Sequence, residues 1–171
     1  MKTSSALYIT CLLVVAVSFS AKAQKTTKGL PNVTIKTLDG NSLSTQALAL
    51  KGHFTVVSFW ATWCKPCIQE LSAIHDVYPD WQEDMKVKLI AISVDDARSR
   101  ARAKSLVKGK RWEFETYIDE NGDLKRAMNV LNVPHTFILN KDGEIVWQHT
   151  SYKPGDEEKY YDVLKKLNTK K

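Results

Sequence analysis

Cysteine is scarce in this chain: three in 171 residues, at positions 11, 64 and 67. So few excludes a fold stapled by several disulfides. A second C-x-x-C is missing, and His53, His75, His135 and His149 show no H-x₃₋₅-H spacing. The further ligands of a tetrahedral zinc site are therefore not supplied. Ile68 stands after Cys67 where covalent haem attachment needs histidine. No metal and no cofactor is expected. Internal repeats, low-complexity tracts and an interdomain linker are absent too, which leaves one α/β domain with a proper core.

What is present begins with an N-terminal leader. Lys2 supplies a positive charge, Leu7 to Phe19 is almost entirely apolar, and Ala21-Lys22-Ala23 is an A-x-A cleavage pattern. Residues 1–23 read as a secretory signal peptide and 24–171 as the mature domain, exported to the periplasm. The rival is an uncleaved membrane anchor, but the apolar run is shorter than the ~20 residues of a comfortable span. Cys11 lies inside that run behind Tyr8-Ile9-Thr10 rather than small residues, which argues against a lipid attachment site. Cleavage removes Lys2 and Lys22, lowering Lys+Arg from 25 to 23 against 19 Asp+Glu, a formal charge of +4. Cys64 and Cys67 become the only thiols. A bridge closing so short a loop constrains the unfolded chain little, so the pair points to redox chemistry rather than stability.

Hydrophobic periodicity orders the rest. Val33-Thr34-Ile35 alternates as a strand does, and Leu38-Asp39-Gly40-Asn41 is a turn signal, together an N-terminal hairpin. Phe54–Trp60 is apolar on both faces, as a buried parallel strand is. From Pro66 the period becomes helical through Ile68, Leu71, His75 and Tyr78, with Ile74 and Trp81 flanking. Pro79 is expected to kink or end this helix at Tyr78. Val87–Val94 completes a right-handed strand–helix–strand crossover. Asp95-Asp96 is read as the cap of a basic helix to about Lys108, followed by a strand at Thr116–Ile118 and a short helix through Leu124, Ala127 and Met128. Thr136–Leu139 and Glu144–His149 form a hairpin about Asn140-Lys141-Asp142-Gly143. Asp156 is read as the N-cap of a last helix with Tyr160, Val163, Leu164 and Leu167 on its apolar face. The basic run from Arg98 to Arg111 spreads charge around its helix instead of building one face, and in an exported chain it reads as a solvated surface, not a nucleic-acid site.

A C-x-x-C at the first turn of a helix has its own logic. The first sulfur faces unpaired N–H groups and the positive end of the helix dipole, which favour thiolate. Such settings lower a cysteine pKa from ~8.5 to between ~3.5 and ~7.5. Cys64 is the expected nucleophile and Cys67 the resolving thiol. Pro66 suits the first turn, where its missing N–H costs no helix bond.

Phe59-Trp60-Ala61-Thr62-Trp63-Cys64-Lys65-Pro66-Cys67 resembles the active-site segment of thioredoxin-fold proteins, and its Ala-Thr-Trp-Cys form is most similar to the exported TlpA/ResA-like group. Val133-Pro134 resembles that family's cis-proline loop, and Thr136–Gly143 the strand and turn that follow it. The resemblance implies a three-layer fold: a central mixed β-sheet, helices on both faces and an N-terminal β-hairpin extension. It implies catalytic roles for Cys64, Cys67 and Glu70, with Cys64–Cys67 as the redox-active disulfide. Substrate contacts fall to Trp63, Val133, Pro134 and His135. Implied partners are protein thiols and disulfides, with a membrane electron-transfer protein as the redox partner. The implied activity is reduction of protein disulfides, often in cytochrome c maturation; a disulfide-donating oxidase or isomerase and a redox-inactive binding module are the alternatives.

Three residues depart from the pattern. Ser58 replaces the buried aspartate of thioredoxins proper, which leaves Glu70 as the residue to take over its proton role. His135 replaces a frequent threonine and is either a bystander or, if partly charged, a stabiliser of the thiolate. Ser72 replaces a frequent helix-kinking proline. A peroxiredoxin-type reading lacks its proline at Val57. Lys65 is read as solvated, Trp60 as packing.

Overall fold

The computed structural model describes residues 29–48 and 51–169. The expected leader 1–23, the polar stretch 24–28 and Lys170-Lys171 lie outside the described residues. The sheet is built around β3 (Phe54–Trp60), whose seven residues are all buried. A strand apolar on both faces needs neighbours on both edges and cover on both sides. Its edges are taken by β4 (Val87–Ser93), parallel, and β6 (His135–Leu139), antiparallel. Outside these lie β5 (Glu115–Ile118) against β4 and β7 (Ile145–Thr150) against β6. The expected N-terminal hairpin, β1 (Thr34–Thr37) and β2 (Ser42–Ser44), adds to β5 and completes a mixed seven-stranded sheet of order β2-β1-β5-β4-β3-β6-β7.

Side-chain alternation sorts the two faces. Phe54, Val56 and Trp60 of β3 share a core with α1 (Lys65–Met85), Ala103 and Val107 of α2 (Arg100–Lys110), and Tyr160 and Leu164 of α4 (Asp156–Thr169). Val57 and Phe59 pack the other way, with Leu48, Val130 and Leu124 of α3 (Asp123–Ala127). The expected three layers are present, with cover that is uneven: three helices on one face and one short helix on the other.

Pro79 does not end α1. The helix runs on to Met85 and stops where Lys86 takes a left-handed backbone, φ 55°, and returns its N–H to Gln82 O at 3.1 Å. A mid-helix proline costs ~3 kcal/mol. Beyond it Trp81 and Met85 bury on the stripe set by Leu71, Ile74 and Tyr78, at about 1.5–3 kcal/mol each, so packing matches or exceeds the penalty.

Two expected caps are also corrected. Ser99, not Asp95 or Asp96, flanks α2, and it makes no side-chain cap bond. Asp96 instead accepts the Ser99 N–H at 3.0 Å, and Asp95 turns inward. Asp156 is the first residue of α4 and braces the preceding turn, accepting the Lys153 N–H at 2.9 Å. The basic residues of α2 are solvated or locally paired, Arg100 with Glu120 at 2.7 Å and Lys104 with Asp39 at 2.6 Å. Among the described residues no helix is long and apolar enough to cross a membrane.

Candidate active site

β3 stops at Trp60, and the next turn delivers two cysteines to the start of α1 at the carboxyl end of the parallel strands, where open α/β sheets place their sites. Cys64 is the N-cap. Its backbone is extended, its carbonyl accepts the Ile68 N–H at 3.2 Å, and its Sγ accepts the Cys67 N–H at 3.3 Å. The two sulfurs are bonded to each other across a Cα–Cα distance of 5.3 Å. A sulfur that already receives a helix N-terminal N–H is placed to carry negative charge once the bond is reduced. Cys67 is fully buried and Cys64 nearly so, whereas the adjoining Trp63 is 67% exposed, an apolar surface beside the first sulfur.

The turn that presents Cys64 is fixed from β4. Asp95 accepts the Thr62 N–H and the Thr62 hydroxyl, each at 2.8 Å, and the Ser93 hydroxyl at 2.6 Å. The sequence does not reveal this pairing, because Asp95 carries the simpler reading of a helix cap.

Glu70 follows Cys67 by one turn on the inward face of α1 and has no exposed surface. Ser58 and Thr136 are register partners across β3 and β6, so their side chains emerge on one face. The Ser58 hydroxyl donates to Glu70 Oε2 at 2.9 Å and the Thr136 hydroxyl to Oε1 at 2.8 Å. The Tyr160 hydroxyl, from α4, also donates to Oε1, at 2.7 Å. Burial pushes the Glu70 carboxyl above its ordinary range, and the Tyr160, Thr136 and Ser58 hydroxyls pull it part of the way back. The residue that departs from the thioredoxin pattern at position 58 therefore donates a hydrogen bond to the Glu70 carboxyl.

Val133-Pro134 is a cis peptide, as expected from the resemblance. Pro134 immediately precedes β6, and His135 is the register partner of Phe59. The antiparallel pairing thus brings this segment to the same end of the sheet as the cysteine turn. Val133 packs against both halves of the core, and the Pro134 carbonyl accepts the Ser151 N–H at 3.0 Å. His135 stacks on Phe137 with ring centroids 4.5 Å apart. Its Nε2 lies 3.1 Å from Gln148 Oε1 and its Nδ1 3.4 Å from the Thr150 hydroxyl. Burial lowers its pKa, which holds the imidazole toward its neutral form.

Sequence reasoning missed Thr136 and Tyr160 as partners of Glu70, and Leu131, 75% exposed two residues before Val133. Tyr160 lay on an apolar helical stripe, and nothing in a stripe tells a phenol from a phenyl ring. Among the described residues no group of three or more His, Cys, Asp or Glu side chains is placed to hold a metal.

The AhpC/TSA family matches residues 26–148. A thiol-disulfide oxidoreductase ResA of Bacillus thuringiensis subsp. konkukian is 31% identical over 119 residues, 70% of this chain and 66% of the relative, so the chain spans just under two thirds of that protein. The sporulation thiol-disulfide oxidoreductase A of Bacillus subtilis is 29% identical over 128 residues, 74% of this chain and 75% of the relative. Among solved structures, an uncharacterized thioredoxin-like protein of Porphyromonas gingivalis superposes with a TM-score of 0.74 at 42% identity, covering 83% of this chain and 94% of its own.

Proposed function

Because this chain belongs to the AhpC/TSA family, in its thioredoxin-like form, we propose that it is an exported thiol:disulfide oxidoreductase that reduces disulfides in other proteins. The observation that carries this reading is the Cys64 sulfur at the N-cap of α1, receiving the Cys67 N–H beside an exposed Trp63. Relatives named thiol-disulfide oxidoreductases support it. They also favour thiol exchange over peroxide reduction; Val57 is a fully buried mid-strand residue here, paired with Ile90 and Phe137.

In the reduced protein the Cys64 thiolate attacks one sulfur of a substrate disulfide. That S–S bond breaks, a mixed disulfide forms and the first substrate thiolate leaves. Cys67 then gives up its proton, with Glu70 as acceptor, and attacks Cys64 Sγ. The second substrate thiol is released and the Cys64–Cys67 bond closes, two electrons having passed to the substrate. Trp63 offers the exposed apolar surface beside Cys64, and the Val133-Pro134-His135 segment, whose Pro134 and His135 side chains are buried, offers its backbone to an extended substrate chain. A membrane thiol carrier returns the pair to its reduced form, and the narrower proposal is service in cytochrome c maturation. Export rests on the leader 1–23.

A Cys67→Ser variant tests the reading, because it cannot resolve the first exchange. Mixed disulfides through Cys64 should accumulate in the cell envelope. Recovering none, with a folded protein, would favour a binding module; recovering chains that are receiving disulfides would favour an oxidase or isomerase.

A further inference from the structure

We propose that Tyr160 is a positioning residue for the thiol chemistry, its hydroxyl fixing Glu70 Oε1 and setting the pH at which Glu70 exchanges a proton with Cys67. This rests on the exchange reading given above. The step balances within the chain: the Cys67 thiol loses a proton to the Glu70 carboxylate, leaving thiolate and carboxylic acid, with no electron transferred.

The geometry carries it. Glu70, Ser58, Thr136 and Tyr160 each have no exposed surface, so water cannot solvate the charge and the three hydroxyls must. Ser58 and Thr136 are locked by sheet register. Tyr160 reaches the same carboxyl from α4, 90 residues further along the chain, and is the donor that does not belong to the sheet. A phenol is also a more acidic donor than an alkyl hydroxyl, and donors to an ionised acceptor make the stronger hydrogen bonds. The phenol makes a stronger hydrogen bond to the ionised carboxylate than to the neutral acid, so its presence biases Glu70 toward the form that can accept a proton.

Other titratable groups face this pair. Asp156, one turn earlier on α4, raises both Glu70 and Tyr160 through its negative charge. Lys159 at 2.5 Å offsets that charge. His149 of β7 lies edge-on to the Tyr160 ring, centroids 6.0 Å apart, with its Nε2 3.4 Å from Asp156 Oδ2 but outside hydrogen-bond geometry. Tyr152 is within the electrostatic reach of Glu70. From β3 and β6 only the neutral Ser58 and Thr136 bond to Glu70. No cation among the described residues holds Glu70.

The test uses the full reduced chain with ¹³C-labelled glutamate, following the Glu70 carboxyl shift and the rate of thiol alkylation against pH. Tyr160→Phe, which keeps the ring, should raise the Glu70 midpoint by about one pH unit, the equivalent of one charge-assisted hydrogen bond. The alkylation profile should move the same way in wild-type background and stay fixed in a Glu70→Gln background. 3-Fluorotyrosine at position 160, a stronger donor, should move both midpoints downward, and it decides the matter if Tyr160→Phe does not fold. Unmoved midpoints, or an alkylation shift that persists with Glu70→Gln, overturn the proposal. In either case insulin reduction by the wild-type chain separates the two ideas: if it is absent the exchange reading has failed, and if present only the role of Tyr160 has.

Discussion

Burying the Glu70 carboxyl without a cation costs free energy that its three hydroxyl donors only partly offset, and the consequence is a pH-dependent stability. Its pKa in the folded chain lies above the ordinary 4.5, burial being the main cause. The folded state therefore holds the Glu70 proton more tightly than the unfolded chain does. The stabilisation is fully present below pH ~4.5 and lost as pH rises through the folded-state value. Glu70→Gln removes the titration, so in urea unfolding its stability relative to wild type should rise as pH increases from about 4 to about 8. A pH-independent difference would show that Glu70 is unperturbed. At the sulfurs the expectation is simpler: Cys64→Ala should abolish insulin reduction while leaving the fold intact, and retained activity would remove Cys64 as the nucleophile.

Two elements set where those sulfurs sit. The cysteine turn hangs on Asp95, whose carboxylate takes three hydrogen bonds at the end of β4. Asp95→Ala strands the Thr62 N–H and two hydroxyls, and should cost about 1–3 kcal/mol with slower exchange at Cys64. Loss of stability without slower exchange would mean that the turn is held elsewhere. In α1 the tension runs between Pro79 and the apolar stripe. Pro79 is exposed and forfeits one helix bond, so Pro79→Ala should raise stability by about 1–3 kcal/mol in the same unfolding assay. No gain would place the cost of the proline outside the helix bond.

Across the molecule, period and spacing carried the sheet, the crossover and the cysteine turn, because strand burial and C-x-x-C placement are local properties of the sequence. Features that depend on tertiary contact were not legible. Pro79 reads in the sequence as a kink or an end because the burial of Trp81 and Met85 beyond it is a property of the packed helix. Asp95 was read as a cap because its partner Thr62 lies 33 residues away. Glu70 is singled out by the family resemblance together with its spacing from Cys67, yet its cage draws on positions 58, 136 and 160, which only the fold assembles. The proposed leader 1–23 lies outside the described residues and stands on sequence alone; if it is cleaved on export, N-terminal sequencing should find the protein beginning at Gln24, and an intact Met1 terminus would favour the anchor. The direction of electron flow is the central claim, and equilibration of the full reduced and oxidised chain in dithiol buffers measures it. A reductant places the Cys64–Cys67 couple near the about −270 mV of thioredoxin, whereas a value near the about −120 mV of DsbA would make this chain a disulfide donor and contradict the proposal.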